Sequence, residues 1–148
     1  MTAIIDFLKR VDLFTGLSDE MLAQVADMCR PQTYSADSTI IQHNTPSDKF
    51  YLIEEGSVKI KTAPSGKTDI LSEAAVITLG RGQSFGEMGL VDHGTRSATV
   101  RAATDARLLA IDCQQFTDLC EANSDVGYQI MKNIAIDLSF KLRYRNMI

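Results

Sequence analysis

What the sequence has little of narrows its reading first. Basic charge is in deficit: 15 Lys and Arg stand against 19 Asp and Glu, a formal net charge of −4. A nucleic-acid reader usually shows a basic balance or a basic stripe. The only basic cluster is Lys141, Arg143 and Arg145, near the C-terminus, so nucleic acid is not expected as a partner of the chain by itself. Cysteine is scarce: Cys29, Cys113 and Cys120 form no CxxC pair. No disulfide framework is expected, and a reduced, cytoplasmic setting fits. No apolar run approaches the ~18 residues of a membrane span. The opening MTAIIDFLKR lacks a charged lead ahead of a long apolar core, so it does not read as a signal peptide. His43 and His93 are the only histidines and form no HxH pair. That leaves the ligand spacing of a metal site unfilled and disfavours a metal enzyme built on a β-barrel.

What is present suits one soluble domain spanning residues 1–148, with 45% apolar and 23% charged residues. The first thirty residues read as helix, with Ile4, Ile5, Leu8 and Val11 at helical spacing. Gly16 interrupts them, Ser18 is placed to cap a second helix carrying Met21, Leu22, Val25 and Met28, and Pro31 ends it. From Gln32 to Asp112 short β-type runs alternate with turn residues. Phe50–Ile53 is an apolar strand, and Val58 and Ile60 alternate with Lys59 and Lys61 in a strand with one wet face. Ala63–Lys67 reads as a hairpin tip, Ile70–Leu79 as strand, and Ala98–Ala102 and Arg107–Ile111 as two more. Asp112 with Gln115 resembles a capping box, and Ser124 or Asp125 is placed to cap a last, longer helix. Helices, then strands, then helices make an α+β order around a β-sandwich or roll.

The chemistry lies between Phe85 and Val100. Gly86 and Gly89 admit close backbone approach. Gly86–Leu90 reads as one helical turn whose free N–H groups suit an anion. Arg96 brings a fork of donors suited to phosphate oxygens, and Ser97 brings a hydroxyl. Glu87 would repel a phosphate, so it must accept hydrogen bonds from something else, for which a ribose hydroxyl is a natural donor.

Phe85-Gly86-Glu87-Met88-Gly89-Leu90 followed by Arg96-Ser97-Ala98-Thr99-Val100 strongly resembles the phosphate-binding cassette of cyclic-nucleotide-binding domains. Leu13-Phe14 with Gly16-Leu17-Ser18 is similar to the family's opening helices. Phe50–Ile53 running into Gly56–Ile60 resembles its strand-and-glycine signature, and Leu109–Asp112 with Phe116 its passage into the C-terminal helices. The resemblance implies an antiparallel, jelly-roll-like β-roll flanked by N-terminal helices and C-terminal lid helices, with no catalytic machinery and no metal. It implies that Glu87 accepts from the ribose 2′-hydroxyl and that Arg96 pairs with the cyclic phosphate. The amides of Gly86, Glu87, Met88, Gly89 and Ala98, with the Ser97 hydroxyl, would complete the cradle. Ile60 and Ile77 match positions that pack near the base. Asp137 stands where some members carry a lid arginine, which puts that contact in doubt.

The expected ligand is a cyclic nucleotide. Ser97, where cGMP-selective members often carry Thr, favours cAMP, and cGMP stays open because a carboxylate at Asp137 suits either base. The expected role is a regulatory sensor whose output runs through an effector protein or a homodimer formed by the C-terminal helix. The alternative is a domain of the same fold that has lost its ligand and serves as an interaction surface. Cys113–Ile148 is taken up by the two last helices, so no helix-turn-helix reader fits there, and the chain is either a stand-alone subunit or a fragment.

Overall fold

The computed structural model describes residues 2–62 and 76–144. The hairpin tip at Ala63–Lys67, the first part of the Ile70–Leu79 strand and Arg145 lie outside the described residues. The order is α1 (Thr2–Leu8), a 3-10 turn (Asp12–Phe14), α2 (Asp19–Met28), then strands β1 (Arg30–Tyr34), β2 (Thr39–Ile41), β3 (Lys49–Glu55), β4 (Val58–Thr62), β5 (Val76–Leu79) and β6 (Ser84–Phe85). It continues with α3 (Gly89–Asp92), β7 (Ala98–Ala102), β8 (Ala106–Asp112), α4 (Cys113–Ala122) and α5 (Ser124–Tyr144). The Ser18 hydroxyl accepts from the Met21 amide and Asp112 from the Gln115 amide, so both of these expected caps are in place. Ser124 and Asp125 both lie inside α5 and cap nothing from outside it; the chain turns at Asn123, whose side-chain amide donates to the Leu119 carbonyl.

Two antiparallel sheets form, β1-β8-β3-β6 and β2-β7-β4-β5. The first is covered on both faces, which explains the unbroken apolar run Phe50-Tyr51-Leu52-Ile53. Phe50 and Leu52 of β3, with Leu109 and Ile111 of β8, pack against the helices, beside Phe14, Leu22, Phe116 and Ile130. Tyr51, Ile53, Leu108 and Ala110 face the roll interior with Val58, Phe85 and Val100. The second sheet has one dry face: Val58 is buried and Ile60 half-buried, while Lys59 and Lys61 are exposed. This is the antiparallel β-roll between helical ends that the sequence implied. None of the described helices is long and apolar enough to cross a membrane.

The three cysteines are free thiols. Burial pushes Cys29 up to about 12 and Cys113 and Cys120 up to about 11, so all three stay protonated and act as small hydrophobes.

Candidate functional site

β6 is two residues long, yet it fixes where the cassette starts. Phe85 pairs with Tyr51 of β3, and their rings stack at 5.1 Å inside the roll. Phe85 is thus a buried anchor of the cassette. Gly86 follows at φ +83°, and a Cβ there would lie 2.9 Å from an Arg96 guanidinium nitrogen and 3.2 Å from the Lys49 carbonyl. Only glycine meets both demands. A Cβ on Gly89 would lie 2.9 Å from both the Cβ and the carbonyl oxygen of Ser47.

The helical turn begins later than expected: regular helix covers Gly89–Asp92 rather than Gly86–Leu90. The amides of Gly89, Leu90 and Val91 donate to the carbonyls of Gly86, Glu87 and Met88. The Gly89 amide is therefore engaged, the Glu87 N–H faces its own carboxylate, and the N–H groups of Gly86 and Met88 are not used within the turn. Met88 is exposed. His93, in the left-handed region at φ 52°, ends the helix. The return strand is tied to the turn before β3: Arg96 N–H donates to the Thr45 carbonyl at 2.8 Å, and Asn44 N–H to the Arg96 carbonyl at 2.9 Å.

The Arg96 side chain is buried, at 7% exposure. Its guanidinium donates to the Lys49 and Gly86 carbonyls and stands 3.9 Å from Asp48. A buried guanidinium has to be hydrogen-bonded, and here it straps β3 to the cassette. Ser97 is exposed, and Ala98 opens β7 opposite Thr62. Ile77, Ile60 and Val100 stand in register across β5, β4 and β7.

Glu87 sits differently. One carboxylate oxygen is buried and accepts no hydrogen bond. Burial pushes the Glu87 carboxyl above the usual glutamate range, its own backbone amide and Lys141 pull it back, and Asp137 pushes it up again. Glu87 lines a cavity of about 220 Å³ between the roll and α5. The other walls are Asp12 and Leu13 of the 3-10 turn, Leu79 and the Gly82–Ser84 segment, and Asn133, Ile134, Asp137, Phe140 and Lys141 of α5. Asp137 and Lys141 form an ion pair at 2.8 Å. Asn133 is nearly buried and anchors α5: its amide donates to the Leu13 and Thr15 carbonyls at 2.8 and 2.9 Å, and its oxygen accepts from Gln129.

The structure therefore brings Glu87 and Asp137 to one cavity. Arg96, Ser97, Ile60 and Ile77 are not on its wall. Sequence reasoning missed Asn133, Phe140 and Lys141 as cavity residues. The available signals were an amide beside the apolar pair Ile130 and Ile134, and a lysine four residues after Asp137. Among the described residues, no group of three or more His, Cys, Asp and Glu is placed to hold a metal ion.

The sequence pattern of the cyclic nucleotide-binding domain family matches residues 31–123, and the chain belongs to that family. It is 35% identical over 124 residues to the cGMP-dependent protein kinase, isozyme 1, of Drosophila melanogaster, covering 79% of this chain and 16% of the kinase. It is 35% identical over 120 residues to the cAMP-dependent protein kinase regulatory subunit of Aspergillus fumigatus, covering 81% of this chain and 27% of that one. The chain thus spans a small part of the length of these curated relatives. Its fold matches the crystal structure of a putative cyclic nucleotide-binding protein from Geobacter metallireducens, with a TM-score of 0.77 and 23% identity over 93% of this chain and 96% of that one.

Proposed function

We propose that the chain binds a cyclic nucleotide, cAMP in preference to cGMP, and acts as a regulatory sensor without chemistry of its own. The observation that carries this is the Glu87 carboxylate: a buried oxygen without a donor, at a cavity closed by a helix. Burying such an acceptor without a protein donor costs free energy that a ligand hydroxyl would recover. In this reading Glu87 accepts from the ribose 2′-hydroxyl. Arg96 pairs with the cyclic phosphate, which must compete with the Lys49 and Gly86 carbonyls. The amides of Gly86, Glu87, Met88 and Ala98, with the Ser97 hydroxyl, complete the cradle. Ile60 and Ile77 pack toward the base.

The relatives do not choose the base, since one is named for cGMP and the other for cAMP at equal identity. Ser97 supports cAMP: a hydroxyl there reaches a guanine amino group only in the syn conformer, and Ser lacks the Thr methyl that would fix it. Calorimetric titration of cAMP and cGMP into the native chain and into Asp137→Ala tests both levels. We expect saturable binding of cAMP, at least as tight as cGMP and within about tenfold of it. A strong native preference for cGMP that vanishes in Asp137→Ala overturns the choice of base, and no binding of either overturns the function.

The output would run through α5. Tyr128, Met131, Ala135, Leu138 and Leu142 follow alternating three- and four-residue steps, and the large members of this stripe are exposed. That is the spacing of a helix-to-helix seam, which supports pairing with a second copy or with an effector helix. Sedimentation of the native chain beside Leu138→Glu reads which holds. A dimer that the substitution splits supports self-pairing, and a native monomer leaves the effector helix as the partner.

A further inference from the structure

Three cations that lie apart in the sequence meet on the outer face of the second sheet. Strand register carries Thr39 of β2, Arg101 of β7, Lys59 of β4 and Thr78 of β5 across all four strands in one row. The next row runs Thr99, Lys61 and Val76. Both rows alternate with Ile41, Val58, Ile60 and Val100, which pack inside the roll, so the rows stand on the opposite face. Lys59, Lys61 and Arg101 are exposed, and neither row contains a carboxylate. The described helices pack against the first sheet instead.

This face is unbalanced as well as open. Elsewhere Lys9 pairs with Asp19, Arg107 with Glu54 and Lys141 with Asp137. Among the described residues, no carboxylate stands within ion-pair distance of Lys59, Lys61 or Arg101. Arg101 Nε reaches the Thr39 hydroxyl at 3.4 Å. Lys59 and Arg101 are directly opposite each other, and like charges so placed weaken a sheet. The chain as a whole has a formal charge of −4, so the face runs against the overall balance. An anion laid over it relieves the repulsion.

We propose that this face docks an acidic segment of a partner protein. Carboxylates at every second position of an extended segment recur at about 7 Å, the spacing of Lys59 and Lys61 along β4. The hydroxyls of Thr39 and Thr78 at the two ends of the first row can donate to the same oxygens. A second copy cannot pair this face with itself in a two-fold contact, because cations would meet cations. An anionic bilayer finds one apolar side chain to take up, Val76, whereas lasting attachment needs a stronger second anchor. A nucleic acid must approach a chain of negative net charge with three cations for its hold. The proposal stands apart from nucleotide binding, since Ile60, Ile77 and Val100 of the same strands lie on the other face.

The test titrates the full chain against a labelled oligoglutamate peptide, with duplex DNA and phosphatidylcholine vesicles containing phosphatidylserine as the other arms. The native chain should bind oligoglutamate, and more weakly as salt rises. Lys59→Glu should weaken that binding by about tenfold or more, because it removes an attraction, adds a repulsion and gives Arg101 an internal partner. The same substitution should raise the denaturation midpoint of the free chain at low salt, and the gain should fade at high salt. Arg143→Gln, near the C-terminal end of α5, should leave peptide binding unchanged. No binding of oligoglutamate by the native chain, or undiminished binding by Lys59→Glu, overturns the proposal. Vesicles or DNA held through Lys59 while oligoglutamate is not held gives the face to that partner and overturns the acidic segment.

Discussion

Between Phe85 and Arg96, the cassette is gripped by residues distant in sequence but close in space, whereas α5 carries exposed apolar side chains along its second half. The cassette has Phe85 stacked on Tyr51, glycines without room for a Cβ, and Arg96 bonded to two carbonyls. In α5, Ile130, Asn133 and Ile134 are buried, but Ile136, Leu138, Phe140 and Leu142 are exposed. A ligand shifts a conformational equilibrium only by its difference in affinity for the two states. In the proposed reading that difference would fall on α5, whose second half buries little core.

Breaking the rigid half should have the largest effect. Arg96→Ala removes the proposed phosphate partner and the strap between Lys49 and Gly86. Truncating a buried, hydrogen-bonded charge partner costs about 2–5 kcal/mol, so the cyclic nucleotide should bind roughly 30-fold more weakly or worse. Arg96→Lys should recover only part, since a point charge cannot replace the fork. Calorimetry reads both, and native affinity in the Ala variant removes Arg96 from the site.

Gly86→Ala strikes the same region through the backbone. The left-handed φ and the close Arg96 nitrogen should together cost about 1–3 kcal/mol of stability, seen as a lower denaturation midpoint. An unchanged midpoint would mean the cassette relaxes easily and is not the rigid partner in this comparison.

Asn133→Ala attacks the anchored half of the lid. The buried Leu13 carbonyl loses its donor, at a cost of about 1–3 kcal/mol, and the Thr15 carbonyl, on an exposed residue, loses one as well. Hydrogen exchange should rise along α5 and in the 3-10 turn, but not in the cassette. Equal acceleration in the cassette would show that the two regions move as one.

The smallest effect is one of pH. Glu87 holds its proton more tightly in the folded chain than in the unfolded one, because burial raises its carboxyl. The folded state therefore loses stability as pH rises from the ordinary glutamate value through the raised one. Glu87→Gln should flatten that decline. Nucleotide binding, which needs the charged acceptor, should tighten over the same window in the native chain. A native stability profile with no such decline would contradict the buried carboxylate.

How much was legible follows the same division. The cassette could be read because its glycines, acid, arginine and serine lie within one short stretch, each with its own chemistry. Strands such as Phe50–Ile53 and Ala98–Ala102 showed in composition. β1 did not, because Arg-Pro-Gln-Thr-Tyr is largely exposed and has no apolar alternation. β6 is too short for any period. The start of α3 was misplaced because Gly86 takes a left-handed φ that a helix cannot continue. Asn133 was invisible as an anchor since its partner carbonyls lie more than a hundred residues away in sequence. Lys141 read as a solvated cation because its neighbour across the cavity, Glu87, comes from a different part of the chain.

The central claim is that the unpartnered Glu87 oxygen accepts from a ribose hydroxyl. Its most direct test is titration of a cyclic ribonucleotide and its 2′-deoxy analogue into the native chain and into Glu87→Ala. The account predicts that the native chain prefers the ribonucleotide, and that Glu87→Ala weakens the ribonucleotide far more than the deoxy form, erasing the preference. Equal losses for both ligands would mean that Glu87 shapes the loop instead of holding the sugar, and would contradict the account.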